Sequence, residues 1–139
     1  MPTDLKIGII GGSGMEDPAF ISDYSSKAVS TPYGDSSSEL IMGNIADVPV
    51  AILSRHGPGH KINPTNVNYR ANVWSLKEEG CTNILAVTAC GSLRKRIEPG
   101  HFVFPDQFID RTTKRISTYF DGSDVQHVSM GEPFSAKLR

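Results

Sequence analysis

Three stretches of the chain combine small residues with hydrogen-bond donors in a way that suits an anion. Gly11-Gly12-Ser13-Gly14 offers unhindered backbone N–H groups and a hydroxyl, the equipment of an anion cradle. Ser54-Arg55-His56-Gly57-Pro58-Gly59-His60 adds a permanent cation and a second donor, and a guanidinium fork matches two phosphate oxygens at once. Thr88-Ala89-Cys90-Gly91-Ser92 contributes a hydroxyl and the amides of a small-residue turn. Each has a plain reading when taken alone: a glycine turn, a solvated Arg-His pair, a strand-end turn.

Several other chemistries are disfavoured. The first loop carries Asp17 where the third glycine of a dinucleotide fingerprint should stand, and it lacks the Gly-Lys-Ser/Thr of a P-loop. His56 and His60 are four apart, a metal-pair spacing on a helix, but Gly57-Pro58-Gly59 forbids the helix, so no metal is expected. Cys81 and Cys90 are the only cysteines, too few for a disulfide framework, and both read as reduced thiols packed at or near a strand.

The elements that must position these loops follow from hydropathy patterning. Lys6 to Ile10 is a β-branched run that reads as a buried strand feeding the first loop. After a polar stretch with a Thr31-Pro32-Tyr33-Gly34 turn signal, Glu39–Gly43 and Val48–Leu53 read as two strands, with Pro49 near a strand start or on an edge. The second of these empties into the Arg55 loop. From Asn66 to Glu79 the pattern is helical, with Val67, Ala71 and Trp74 on one stripe, an Asn or Thr cap and Gly80 as terminator. Asn83–Val87 is another buried strand, and it runs into the third loop. Short apolar runs at His101–Phe104 and Gln107–Ile109 predict further strands, and Arg111 to Arg139 has weak periodicity, ending as if a helix were beginning. The order favours an α/β sheet of mixed direction, in which ligands gather beyond the carboxyl ends of strands.

Length and charge narrow the partners. At 139 residues the chain suits one ordinary domain, and 13 Gly with 9 Pro imply many turns. Formal charge is −1 with basic residues dispersed, so neither nucleic acid nor a membrane surface is expected as partner. The N-terminus shows no secretory pattern and no apolar run approaches the roughly 20 residues that span a bilayer. These features place the expected compartment in the cytoplasm, with the nucleus as a second possibility.

The segments IGIIGGSG (7 to 14), SRHGPGH (54 to 60), VNYRANVWSLKEEGC (67 to 81), TACGSL (88 to 93), DQFIDRT (106 to 112) and GEPF (131 to 134) closely resemble the methylthioadenosine phosphorylase branch of the trimeric nucleoside phosphorylases. The likeness runs through nearly the whole chain. It implies a three-layer α/β/α sandwich around a mixed sheet, with residues 1–139 as the N-terminal half of one phosphorylase domain. The implied activity is that of a pentosyltransferase, the phosphate-dependent cleavage of 5′-deoxy-5′-methylthioadenosine to adenine and 5-methylthioribose 1-phosphate, in purine and methionine salvage. Inorganic phosphate is then a co-substrate, and no dissociable cofactor is implied.

By the same resemblance the phosphate ligands fall on Ser13, Arg55, His56, Thr88 and the Ala89 amide. Ser13 stands where threonine is commoner in the family; the hydroxyl is kept. His127 matches a histidine that reaches the 5′-alkylthio pocket of a neighbouring subunit, which implies a homotrimer. The acid facing the purine would belong to a C-terminal half not present here, so this chain alone is expected to be inactive or impaired. Two alternatives stay open: a phosphorylase for inosine, guanosine or methylthioinosine, and a truncated product that binds phosphate or oligomerises without turnover.

Overall fold

The sheet is built around one strand. Val48–Ser54 (β4) pairs in parallel with one neighbour and antiparallel with the other, and its Val50 through Leu53 are buried. In the computed structural model, which describes residues 5–12, 15 and 18–139, the strands are Ile7–Gly11 (β1), Ser22–Lys27 (β2), Leu40–Ile45 (β3), β4 and Asn83–Ala86 (β5). They lie in the order β2-β3-β4-β1-β5. β1 runs parallel to β4 and β5, while β2, β3 and β4 are antiparallel. The expected mixed sheet is therefore present.

Alternation along β4 explains its burial. Successive side chains of a strand point to opposite faces. Ala51 and Leu53 join Leu40 and Leu76 in one cluster, and Val50 and Ile52 join Ile9 in another. Pro49 sits at the second position of β4, opposite Asn44 and one residue before pairing with β1 begins, where its missing N–H does not interrupt that parallel ladder.

The helix is shorter than the sequence pattern suggests. Tyr69–Glu78 (α1) begins at Asn68, whose Oδ1 accepts the Ala71 N–H at 3.2 Å, and a separate 3-10 turn at Pro64–Asn66 precedes it. It ends at Gly80 as expected: at φ 77° this residue closes a Schellman motif, with Cys81 N–H donating to Leu76 O at 3.0 Å and Gly80 N–H to Lys77 O at 2.9 Å. The buried stripe is Ala71, Asn72, Ser75 and Leu76. Trp74, expected on the core stripe, instead meets Tyr33 edge-on at 5.4 Å and carries Lys77 over its ring. Small residues let α1 approach the sheet: a Cβ on Gly8 would lie 3.0 Å from Leu76 Cδ1.

Two compact units divide the chain, Met1–Ala89 and Cys90–Arg139. All the strands and α1 belong to the first. The second contains turns and bends, with Phe108 against Phe134 and the Gln107 amide donating to Met130 O at 3.1 Å. The strands expected at 101–104 and 107–109 are not formed. An apolar run becomes a strand only when a neighbouring backbone completes its ladder, and no such partner occurs within residues 90–139. No described helix is long and apolar enough to cross a membrane.

Candidate phosphate site

Three parallel neighbours end together. Gly11 pairs with Ser54 and Ile10 with Ala86, so β4, β1 and β5 finish at one edge of the sheet. Pairing continues one step into the loops: Arg55 N–H donates to Gly11 O at 3.0 Å and Val87 N–H to Ile10 O at 2.9 Å. With strands about 4.8 Å apart, the three loops sit side by side. They border an open cavity of about 340 Å³, lined by Gly12 and Met15 from the first loop, Arg55 and His60 from the second, and Val87, Thr88 and Ala89 from the third.

Arg55 is the charged centre of this cavity. Its Nη1 donates to Val87 O at 3.2 Å, Nη2 approaches Thr88 Oγ1 at 3.4 Å, and Nε donates to His56 Nε2 at 3.2 Å. A guanidinium has five N–H donors, so these contacts leave capacity for an incoming anion. Gly12 makes room for the head group, since a Cβ there would stand 3.2 Å from Nη2. The Thr88 hydroxyl has only long contacts, 3.4 Å to Arg55 and 3.4 Å to Ala89 O, which a ligand oxygen would replace with shorter ones. Among the described lining residues there is a cation and no carboxylate.

The structure thus brings Arg55, Thr88 and Ala89 to one cavity. Ser13 lies outside the described residues. His56 stands behind Arg55. Its ring is buried, Nδ1 is 2.8 Å from Ile62 O and so carries the proton, and Nε2 accepts from Arg55. In this geometry the ring aims the guanidinium. His127 is exposed and belongs to the second unit. His60, which the sequence offers only as a rejected metal partner, lines the cavity and meets His56 with ring centroids 4.3 Å apart and planes tilted by 35°. Its φ of 58° follows Gly59 at 67°, a reversal that the glycines of the loop signalled without saying where the ring would land. Among the described residues no group of His, Cys, Asp and Glu could hold a metal.

The model of the phosphorylase superfamily matches residues 6–139. This chain belongs to the phosphorylase superfamily. Among superfamily relatives, the S-methyl-5′-thioadenosine phosphorylase of Danio rerio is 55% identical over 140 residues, and that of Drosophila melanogaster is 50% identical over 143. These alignments take in 97% and 99% of this chain and 50% of each relative. The methylthioadenosine phosphorylase of Schistosoma mansoni, in its apo form, superposes with a TM-score of 0.86 at 48% identity, covering 94% of this chain and 48% of the other. The same phosphorylase in complex with adenine also gives 0.86. The chain spans about half the length of the curated relatives it matches.

Proposed function

We propose that this chain supplies the phosphate-holding part of an enzyme that cleaves 5′-deoxy-5′-methylthioadenosine with inorganic phosphate. The observation that carries the reading is the meeting of the Arg55 guanidinium, the Thr88 hydroxyl and the Gly12 turn at one cavity. The names of the relatives supply the nucleoside. Ser13 and the Ala89 amide complete the donor set in this reading, with His56 acting through Arg55 or on the anion itself.

The chemistry follows from the donors. As the bond between C1′ and the purine nitrogen breaks, positive charge grows on the sugar. A phosphate dianion held below C1′ stabilises that charge, and one of its oxygens forms the new bond. The electron pair leaves with the purine, which must take a proton from an acid. No Asp or Glu lies among the described cavity residues to give it as a protonated carboxylic acid, so this reading assigns that acid to the length of the relatives beyond this chain. It also assigns His127 to a neighbouring subunit's alkylthio pocket in a homotrimer, and the whole to the cytoplasm.

Calorimetric titration of the chain with inorganic phosphate tests the site. Arg55→Ala should weaken phosphate binding at least a hundredfold, as expected for losing charge-assisted bonds worth about 1.5–3 kcal/mol each. Phosphate affinity unchanged by that substitution would refute the assignment. A second reading, phosphate binding without turnover, is favoured by the lack of an acidic residue among the described cavity residues. Phosphorolysis of methylthioadenosine by the 139-residue chain at an ordinary enzymatic rate would exclude it.

A further inference from the structure

Behind the cavity, a second layer of polar contacts ties the Arg55 loop to the helix. Asn72 is buried on α1, 1% exposed, and both ends of its amide are used. Oδ1 accepts the Ser37 N–H at 2.8 Å and Nδ2 donates to Ser37 Oγ at 3.0 Å. Ser37 in turn abuts the loop that carries Arg55. Its carbonyl oxygen lies 3.0 Å from where a Cβ on Gly57 would be, at a residue with φ 71°. The next residue, Ser38, accepts the Ser54 N–H through its Oγ at 3.0 Å. The turn itself closes by Gly57 N–H donating to Ser54 O at 3.0 Å.

We infer that Asn72 is a positioning residue for phosphate binding: through Ser37 and Ser38 it sets the Ser54–Gly57 turn and hence the aim of Arg55. The inference rests on the phosphate reading of the cavity and extends it to a residue outside the cavity wall. A buried amide that loses its partners leaves Ser37 N–H and Oγ without theirs, and such orphaned groups drive local rearrangement. The adjacent turn is where rearrangement is cheapest, because it is loop rather than sheet. Misplacing one charged donor by a fraction of an ångström is enough to cost affinity.

A neighbouring residue provides the internal control. Asn68 ties the same segment to the start of α1, donating through Nδ2 to Tyr33 O at 2.7 Å and Asp35 O at 3.2 Å. It contacts the segment ahead of the residues that touch the Arg55 turn. A residue acting only on stability would resemble Asn68.

The experiment compares Asn72→Ala, Asn68→Ala and the unmodified chain by thermal melting and by calorimetric titration with inorganic phosphate. Both variants should lower Tm, but only Asn72→Ala should weaken phosphate binding, by about tenfold. Should Asn72→Ala fail to fold, Ser38→Ala removes the acceptor for Ser54 N–H more gently and should show the same phosphate defect. Equal phosphate affinity in Asn72→Ala, or in Ser38→Ala where that replaces it, and in the unmodified chain overturns the inference. So does an equal loss in the Asn68 and Asn72 variants. If the unmodified chain itself binds no phosphate, the reading of the cavity fails and the inference with it. Binding that Arg55→Ala abolishes and Asn72→Ala spares would sink the inference alone.

Discussion

At the scale of single residues the site depends on how Arg55 is held. His56 Nε2 accepts a hydrogen bond from Arg55 Nε, and Val87 O accepts one from Nη1, so the guanidinium plane has little freedom before any ligand arrives. His56→Ala removes one such tether while leaving the charge. A net hydrogen bond of about 1 kcal/mol corresponds to a loss of phosphate affinity of about five- to tenfold. Calorimetry that finds a hundredfold loss would instead indicate a ring in direct contact with the anion. Cys81, half-buried beside β1, makes a different kind of claim. Burial pushes its thiol pKa up, Lys6 opposes this, and Glu79 adds to it. A thiol whose folded pKa is raised binds more protons in the folded state, so its contribution to stability is complete below the unfolded value of about 8.5 and is lost as pH rises through the folded one. Tm should therefore fall more steeply above about pH 8.5 in the unmodified chain than in Cys81→Ala. Parallel Tm profiles from pH 7 to 10 would contradict this.

Among the elements, the hairpin between β3 and β4 carries local strain. Ala46 and Asp47 both adopt positive φ, 47° and 64°, where a two-residue turn of the hairpin type favours Asn-Gly. Alanine in that region costs about 1 kcal/mol or more. Ala46→Asn combined with Asp47→Gly should raise chemical denaturation stability by about 1 kcal/mol. No change in the midpoint would show that the backbone relaxes elsewhere. The same scale shows why one strand escaped the sequence. Ser22–Lys27 is wholly exposed and polar, so it has no alternation to betray it, and only pairing with β3 makes it a strand. The helix was visible because Asn68 and Gly80 mark its ends, yet its buried side was misjudged. Asn72 and Ser75 are polar letters that the segment around Ser37 and the helix's own carbonyls satisfy.

For the whole molecule the contrast between the two units matters most. Residues 90–139 have turns but no helix or strand, and Phe102 and Ile109 are 86% and 88% exposed. Backbone outside ladders and helices opens at low cost. Limited proteolysis should therefore cut within 90–139 before it cuts the sheet, leaving a resistant fragment that ends near Ala89. First cleavage between β1 and β5, read by mass spectrometry, would reverse that ranking.

The linear order of amino acids was enough to name the strands that feed the loops, the glycines that end them and the donor residues that follow, because those are local signals of hydropathy, turn chemistry and charge. Adjacency was beyond it. Strand order is a matter of which backbones share hydrogen bonds, and only the placement of β1 between β4 and β5 brings Gly12, Arg55 and Thr88 into one cavity. The folded chain alone likewise set His56 behind Arg55 and buried Asn72 against Ser37, since the partner of a polar side chain is chosen by tertiary packing and not by its neighbours in sequence.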